Sequence, residues 1–210
     1  ELYASFGTSR DEYYLYGYNH ETVFPKRKDI RQQFQQINAS AGVRNTVSTQ
    51  YKISYNPNFQ ANIFTNPGRL TETSFIIEAP VEKKFGDNFV LKLEAKADLT
   101  RYSSRGLSSN YSYSNNIEQL APSLVYNSPR LIINGGIIPT WNNGTFEYLP
   151  NIYAEAQLKD KVFMITAGWV GKIIKNTYRN LTAINPYLAP LASQTNTKEM
   201  EFYTGIKATV

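Results

Sequence analysis

The strongest constraint on this chain is an alternation of apolar and polar residues with period two, recurring from end to end, while the 3.6-residue period of an amphipathic helix is almost absent. Successive side chains of a strand point to opposite faces, so each such segment reads as a strand with one greasy side and one polar side. Over residues 89 to 100, Phe89, Leu91, Leu93, Ala95, Ala97 and Leu99 fall on one face, and Lys92, Glu94, Lys96, Asp98 and Thr100 on the other. Val47, Thr49, Tyr51, Ile53 and Tyr55 alternate in the same way with Ser48, Gln50, Lys52 and Ser54, and Phe75, Ile77, Ala79 and Val81 with Ser74, Glu78 and Glu82. About eleven segments of this kind make residues 1–210 one all-β domain, or a stretch of a larger one.

Register can be derived for one hairpin, because turn and faces must agree. With Gly86-Asp87-Asn88 as a three-residue loop, Phe85 opposes Phe89, Val81 opposes Leu93 and Phe75 opposes Leu99. The same register sets Glu82 against Lys92 and Glu78 against Lys96, so opposite charges meet without having been used to choose it. A second hairpin places Leu120, Pro122, Leu124 and Tyr126 against Leu131, Ile133, Gly135 and Ile137 around a four-residue turn. In a third, a two-residue loop at Lys159-Asp160 puts Phe163, Ile165, Ala167 and Trp169 on the face of Ala154 and Ala156, whereas three residues select Val162 and Met164.

Short connections are expected at Thr8 to Asp11, Arg44 to Thr46, Gly86 to Asn88, Asn127 to Arg130 and Lys159 to Lys161. Long polar stretches lie between them, at residues 21 to 35, 56 to 72, 101 to 116, 140 to 147 and 171 to 198. In an up-and-down meander this puts tight turns at one end and long loops at the other, as in outer-membrane barrels with short periplasmic turns and long extracellular loops.

Apolar runs stop at four residues, which excludes a transmembrane helix, since one needs about 20. A net charge of +5 is too small and too dispersed for a nucleic-acid footprint. With no cysteine and one histidine there is no disulfide frame, and no cofactor is expected. The strands at 73 to 85 and 89 to 101 are longer than the 5 or 6 residues usual in soluble sheets and fit the roughly 9 to 11 of a tilted membrane strand. Apolar faces rich in Ala, Gly, Thr and Tyr are weak filling for a sandwich core and suit lipid tails. The expectation is a transmembrane antiparallel β-barrel, or part of one, with Tyr13, Tyr14, Tyr102, Tyr148 and Trp169 as interfacial girdle residues and Tyr16, Tyr18, Tyr111, Tyr113 and Tyr153 in the same clusters. Its polar faces then give Glu78, Glu82, Lys92, Glu94, Lys96 and Asp98 as lumen-facing residues.

Several stretches carry a resemblance. Leu2-Tyr-Ala-Ser-Phe-Gly-Thr with Tyr18-Asn-His-Glu21, Phe75-Ile-Ile-Glu-Ala-Pro80 with Lys84-Phe-Gly-Asp87, Ala167-Gly-Trp-Val-Gly171 with Lys175-Asn-Thr-Tyr178, Asn185-Pro-Tyr187 and Phe202-Tyr-Thr-Gly-Ile-Lys207 resemble Bacteroidota outer-membrane β-barrels of the TonB-dependent receptor-like family. The resemblance spans nearly the whole chain and rests on strand and loop motifs. It implies an outer-membrane location in a Gram-negative bacterium and a role in solute uptake or binding. The chain departs from a full TonB-dependent transporter in having no plug-like domain and no energy-coupling box.

Other motifs weigh towards plain structural roles. His20 with Glu21 lacks a second histidine or cysteine for a metal. The carboxylates Glu94 and Asp98 share a face with Lys92 and Lys96 and read as a solvated wall, not an acid-base pair. Lys26, Arg27, Lys28 and Arg31 form the main basic cluster, in a predicted long loop facing lipopolysaccharide. The stretch 176 to 197, containing Tyr187, is expected to be an external binding or lid segment. No Ser/His/acid arrangement supports catalysis. The leading expectation is thus a non-enzymatic outer-membrane barrel whose partners are the lipid bilayer, lipopolysaccharide and other envelope proteins. An accessory barrel subunit of a larger envelope complex and a soluble carbohydrate-binding β-sandwich are the alternatives.

Overall fold

The computed structural model describes residues 1–15, 25–28, 30–67, 70–105, 110–158, 163–189 and 191–208. His20, Glu21, Tyr16, Tyr18 and the Lys159-Asp160 turn lie outside the described residues. Eleven strands form one antiparallel up-and-down sheet: β1 (Leu2–Tyr14), β2 (Arg31–Val43), β3 (Ile53–Tyr55), β4 (Asn58–Asn66), β5 (Leu70–Phe85), β6 (Phe89–Arg105), β7 (Asn110–Asn127), β8 (Leu131–Asn142), β9 (Thr145–Leu158), β10 (Phe163–Ile174) and β11 (Thr197–Ala208). One short helix, α1 (Tyr178–Ile184), lies between β10 and β11. No helix among the described residues is long and apolar enough to cross a membrane.

The spatial order follows the sequence except at β3, which pairs only with β5. Ile53 opposes Lys83 and Asn58 opposes Glu78, so β3 and β4 hold one continuous register against β5. They are a single strand broken at Asn56-Pro57, where proline has no N–H to give the ladder. The sheet is therefore ten strands wide. It is not closed: β1 is paired on one side with β2, β11 on one side with β10, and no pairing joins β1 to β11. The barrel expectation is met as far as an antiparallel meander and no further. Two stacked sheets, which a sandwich requires, do not form, because the strands belong to one sheet.

The β5–β6 hairpin has the derived register, Phe85 to Phe89, Val81 to Leu93 and Glu78 to Lys96. The β7–β8 register is offset by two residues from expectation, with Tyr126 opposite Ile133. Ser128 N–H donates to the Leu131 carbonyl at 2.9 Å, which leaves Pro129-Arg130 as a two-residue loop and preserves the faces. In β9–β10, Leu158 opposes Phe163 and Ala154 opposes Ala167, which selects the Phe163, Ile165, Ala167, Trp169 face.

The expected division into a tight-turn end and a long-loop end holds only in part. Thr8 to Asp11 runs straight through β1, paired to residues 34–37. Arg44 to Thr46 opens a connection reaching to Pro57, and of the expected strand Val47–Tyr55 only β3 pairs. Conversely, the polar stretches 56 to 72 and 101 to 116 are mostly strand, and 140 to 147 is a hairpin closed by Asn143-Gly144. Both turn residues have positive φ, 52° and 82°, the conformation a two-residue hairpin loop needs. These stretches are polar because strand continues beyond the apolar zone, not because it stops.

The two faces differ in an unusual way. Phe75 and Ile77, in the middle of the sheet, are 45% and 47% exposed, while Ser74, Thr100, Asn115 and Asn134, on the opposite face, are buried. The polar face is the inner side of a curl. Lys175, one residue past the end of β10, bonds to Asp98 on β6, four strands away. At about 4.8 Å per strand those four steps measure ~19 Å along the sheet, whereas a lysine reaching from Ile174 spans at most ~15 Å to the Asp98 Cα. Only a sheet rolled with its polar face inward brings them together.

Candidate functional site

The feature that the fold builds on its inner face is a strap, described over residues 175–189 and 191–196, which leaves β10, turns back over the polar side and returns to β11. Its helix is seven residues long, too short to persist alone. Thr177 caps it, the hydroxyl accepting from Asn180 N–H at 3.1 Å, and the Asn185 N–H closes it on the Leu181 carbonyl at 2.9 Å. Docking supplies the remaining stability. Tyr178 is fully buried in a cluster with Phe34, Phe64, Leu70 and Tyr102, donated by β2, β4, β5 and β6. Its ring meets Phe64 edge-on at 6.1 Å, and Phe64 stacks on Phe34 at 5.4 Å.

Polar anchors surround that cluster. Lys175 Nζ forms an ion pair with the Asp98 carboxylate and donates to the Asp98 carbonyl at 2.8 Å and to Thr100 Oγ1 at 2.7 Å. Burial pulls the Lys175 ammonium below the usual lysine range, against the opposing hydrogen bond and charge of Asp98 and the charges of Glu72 and Glu118. Glu72 accepts the Arg179 N–H at 3.1 Å, so a buried carboxylate sits against the first turn of α1. Asn66 Nδ2 donates to the Tyr178 hydroxyl at 3.3 Å. At the strap's return, Asn115 and Asn196 exchange amide hydrogen bonds at 2.8 and 2.7 Å, and Asn115 also donates to the Asn176 carbonyl at 3.1 Å. The strap thus touches β2, β4, β5, β6 and β7, and it spans the hollow of the curl.

All six expected lumen residues lie on this inner face. Glu82 pairs with Lys92 and Glu78 with Lys96, each at 2.7 Å, Asp98 binds the strap, and Glu94 lies between them in register with Pro80. The five girdle residues divide. Tyr14, Tyr148 and Trp169 are on the apolar face; Tyr148 stands 64% exposed beside Phe146, and Trp169 stacks on Phe202 at 5.3 Å. Tyr13 and Tyr102 face inward, which removes them from an outer girdle: Tyr13 packs edge-on against Phe34, and Tyr102 is wholly buried, stacked on Tyr113 at 4.5 Å. Parity decides this, because Tyr102 shares a face with Asp98 and Thr100.

Among the basic residues, Arg27 lies over the Tyr14 ring at 4.7 Å, and Tyr14, Arg27, Lys28 and Arg31 line an open cavity of about 410 Å³; Lys26 adjoins them in the chain. Arg31 stands six residues beyond Ile37 on β2, ~20 Å along the strand, so this cluster sits at a polar rim well clear of the apolar zone. Tyr187 is half-buried. It belongs to the strap, in the turn after α1, its N–H donating to Asn185 Oδ1 at 3.0 Å. Among the described residues no three His, Cys, Asp or Glu side chains are grouped to hold a metal.

Tyr178, Glu72, Lys175 and Asn115 were missed as site residues. The Lys175-Asn-Thr-Tyr178 stretch carries a readable cap, Thr177 before a helical turn, but its docking partners on the sheet are 61 to 144 residues distant in sequence. No family model, curated protein or solved structure matches this chain.

Proposed function

We propose that this chain forms the wall of a membrane-spanning β-barrel of outer-membrane type, in which the strap narrows a polar interior that binds or passes a solute. One observation carries the reading: the strands present their apolar side chains outward and keep their polar ones inside. Water as the surrounding solvent leaves a continuous apolar face of this extent uncovered, far beyond the few hundred Å² normal for a soluble monomer. Hydrocarbon covers it without a second protein layer.

The dimensions support this. From Phe89 to Leu99 the outward face of β6 runs ten residues without a charge, ~33 Å along the strand and ~25 Å high at a tilt of about 40°, the height of the apolar band of outer-membrane barrels. Tyr148, Trp141 and Phe146 cluster at one margin of that band. At the rim beyond it, Arg27, Lys28 and Arg31 offer positive charge to lipopolysaccharide. The resemblance to TonB-dependent receptor-like barrels points to solute uptake. A second reading, an accessory barrel with an occluded lumen, draws on the strap itself, which is anchored to five strands.

The test is extraction and electrophoresis. The membrane reading requires that the protein leave the envelope only with detergent and migrate differently before and after boiling. A protein that stays monomeric in plain buffer overturns it. Conductance in planar bilayers then separates the two roles: a solute pathway conducts with the strap in place, whereas an occluded accessory barrel conducts only after residues 178–195 are removed.

A further inference from the structure

The sheet ends in two long unpaired edges, and their outward side chains are the most exposed apolar ones on any strand. Leu2 and Phe6 on β1 are 77% and 74% exposed, and Phe202 and Ile206 on β11 are 74% and 75%, whereas on the interior strands only Tyr148, at 64%, among the large outward apolar side chains exceeds half. An open edge of 12 or 13 residues is costly, since its N–H and C=O groups have no ladder partner, and inside a bilayer it has no water to replace one. We propose that the occupant of each edge is the other: β1 and β11 pair antiparallel, with Phe6 beside Thr204, and close the sheet as a ten-stranded barrel. This rests on the membrane reading and names the strands that complete the wall.

Three independent observations lead there. The first is parity. Ten strands lie across the sheet, so β1 and β11 run in opposite directions and their pairing continues the meander, whereas a single intervening strand breaks the alternation.

The second is curvature. The bond from Lys175 to Asp98 sets a chord of at most ~15 Å under an arc of ~19 Å, which on a circle needs at least ~33° per strand. Nine such steps separate β1 from β11 and turn through at least ~300°. The remaining gap is less than two strand widths, too narrow for two further strands.

The third is stagger. Starting from Tyr3 and its partner Gly42, the register row runs through Asn58, Glu78, Lys96, Gln119 and Thr140 to Glu147. Continued past the Asn151–Val170 pair at the same spacing, it meets Ile174 and that residue's partner Thr197. A row that begins at the bottom of β1 thus arrives at the top of β11. Setting Phe6 beside Thr204 puts Tyr3 beside Lys207, ten residues from the row's return. Ten residues of displacement over ten strands is ~33 Å against ~48 Å, a tilt of about 35°, within the range that closed barrels require. The faces agree as well: Leu2, Ala4 and Phe6 point outward, as do Phe202, Thr204 and Ile206, and Glu12 comes opposite Lys198.

The chain has no cysteine, which gives a clean test in the full-length protein in its native membrane. Phe6→Cys is combined in turn with Phe202→Cys, Thr204→Cys and Ile206→Cys, which cover the proposed register and those two residues to either side. Directly opposed residues in an antiparallel pair have Cα separations of about 4.5 to 5.5 Å, within disulfide reach. Under mild oxidation we expect one of the three pairs, foremost Phe6→Cys with Thr204→Cys, to cross-link in most molecules at monomer mass. Phe6→Cys with Trp169→Cys, one strand further round, is the pair expected to stay reduced. Absence of cross-linking in all three pairs overturns the proposal, and so does cross-linking only into dimers, which assigns the edge to a second copy. Boiling-dependent mobility of the same samples reports membrane folding separately, so a folded membrane protein without the cross-link sinks closure alone.

Discussion

The two faces of β5 and β6 carry opposite chemistry under opposite exposure. Outward, Phe75, Ile77, Leu93 and Leu99 are each more than a third uncovered; inward, Ser74, Glu72 and Thr100 are buried, and even the charged Glu78 and Lys96 are more enclosed than the leucines behind them. In a water-soluble protein burial follows hydrophobicity, and the informative observation is a buried polar or an exposed apolar patch. Here both occur on the same strands. Sequence periodicity alone assigns residues to faces, but only the curl decides which face is inside. Once the inside is polar, stability there depends on paired charges and hydrogen bonds, and stability outside depends on the medium.

The largest expected effect strikes the inner face. Lys175→Met leaves the Asp98 carboxylate without its cation in a site where both side chains are largely enclosed. Removing one partner of a buried pair costs about 3 to 5 kcal/mol. The strap, held from its first residue by this pair, should then exchange its amide hydrogens freely and be cut by added protease. Adding Asp98→Asn should restore most of the protection, because a neutral amide needs no counter-charge. If the single variant keeps the strap protected, the anchor is elsewhere.

On the outer face the matching experiment is Leu93→Arg, near the middle of the apolar band. In a bilayer an arginine at that depth costs about 2 to 4 kcal/mol, read from denaturant titration of folding into lipid vesicles. In water the same substitution at a half-exposed position is close to neutral, within about 0.5 kcal/mol. One variant therefore reports which medium the outer face meets. A smaller effect is expected at Glu72→Gln, which keeps an acceptor for Arg179 N–H and removes a charge that burial disfavours, so strap docking should change by less than about 1 kcal/mol. Glu82→Gln, at a pair roughly two-fifths exposed on both sides, should cost less than about 1 kcal/mol by the same titration.

How much of this was legible in the sequence follows from which forces are local. The β5–β6 hairpin was readable to the residue because a glycine turn, an apolar face and two opposite-charge pairs all select one register. The β7–β8 hairpin was readable only in its faces. A loop of two or four residues leaves parity unchanged, and Pro129-Arg130 has no turn signature as strong as Asn143-Gly144. Polar strand ends such as Thr71-Glu72 and Tyr102 to Ser104 passed for loops, since composition cannot tell a strand that rises beyond the apolar zone from one that has ended. Tyr102 was misplaced because the type of residue was weighed above its parity. The strap was readable as a segment with a cap at Thr177 but not in where it docks, because the contact of Lys175 with Asp98 spans 77 residues and exists only after the sheet has rolled.

The finest test of the inner face is its response to pH, and its sign follows from the direction of one shift. Burial holds the Lys175 pKa below its ordinary 10.5, even with Asp98 beside it. In the window between the lowered value and 10.5, the unfolded chain therefore holds a proton that the folded chain has already released. Stability rises with pH wherever the unfolded state binds more protons, so the contribution of Lys175 should improve across that window and stay constant, as a fixed cost, below it. Tyrosines titrate in the same range, so the measurement is a difference: strap protection against pH in the parent chain and in Lys175→Met with Asp98→Asn. The parent should gain relative to the double variant as pH is raised from 8 to 10.5. A parent that loses ground over that interval shows the ion pair outweighing desolvation, and the inner face is then held together by charge more than the burial around Lys175 indicates.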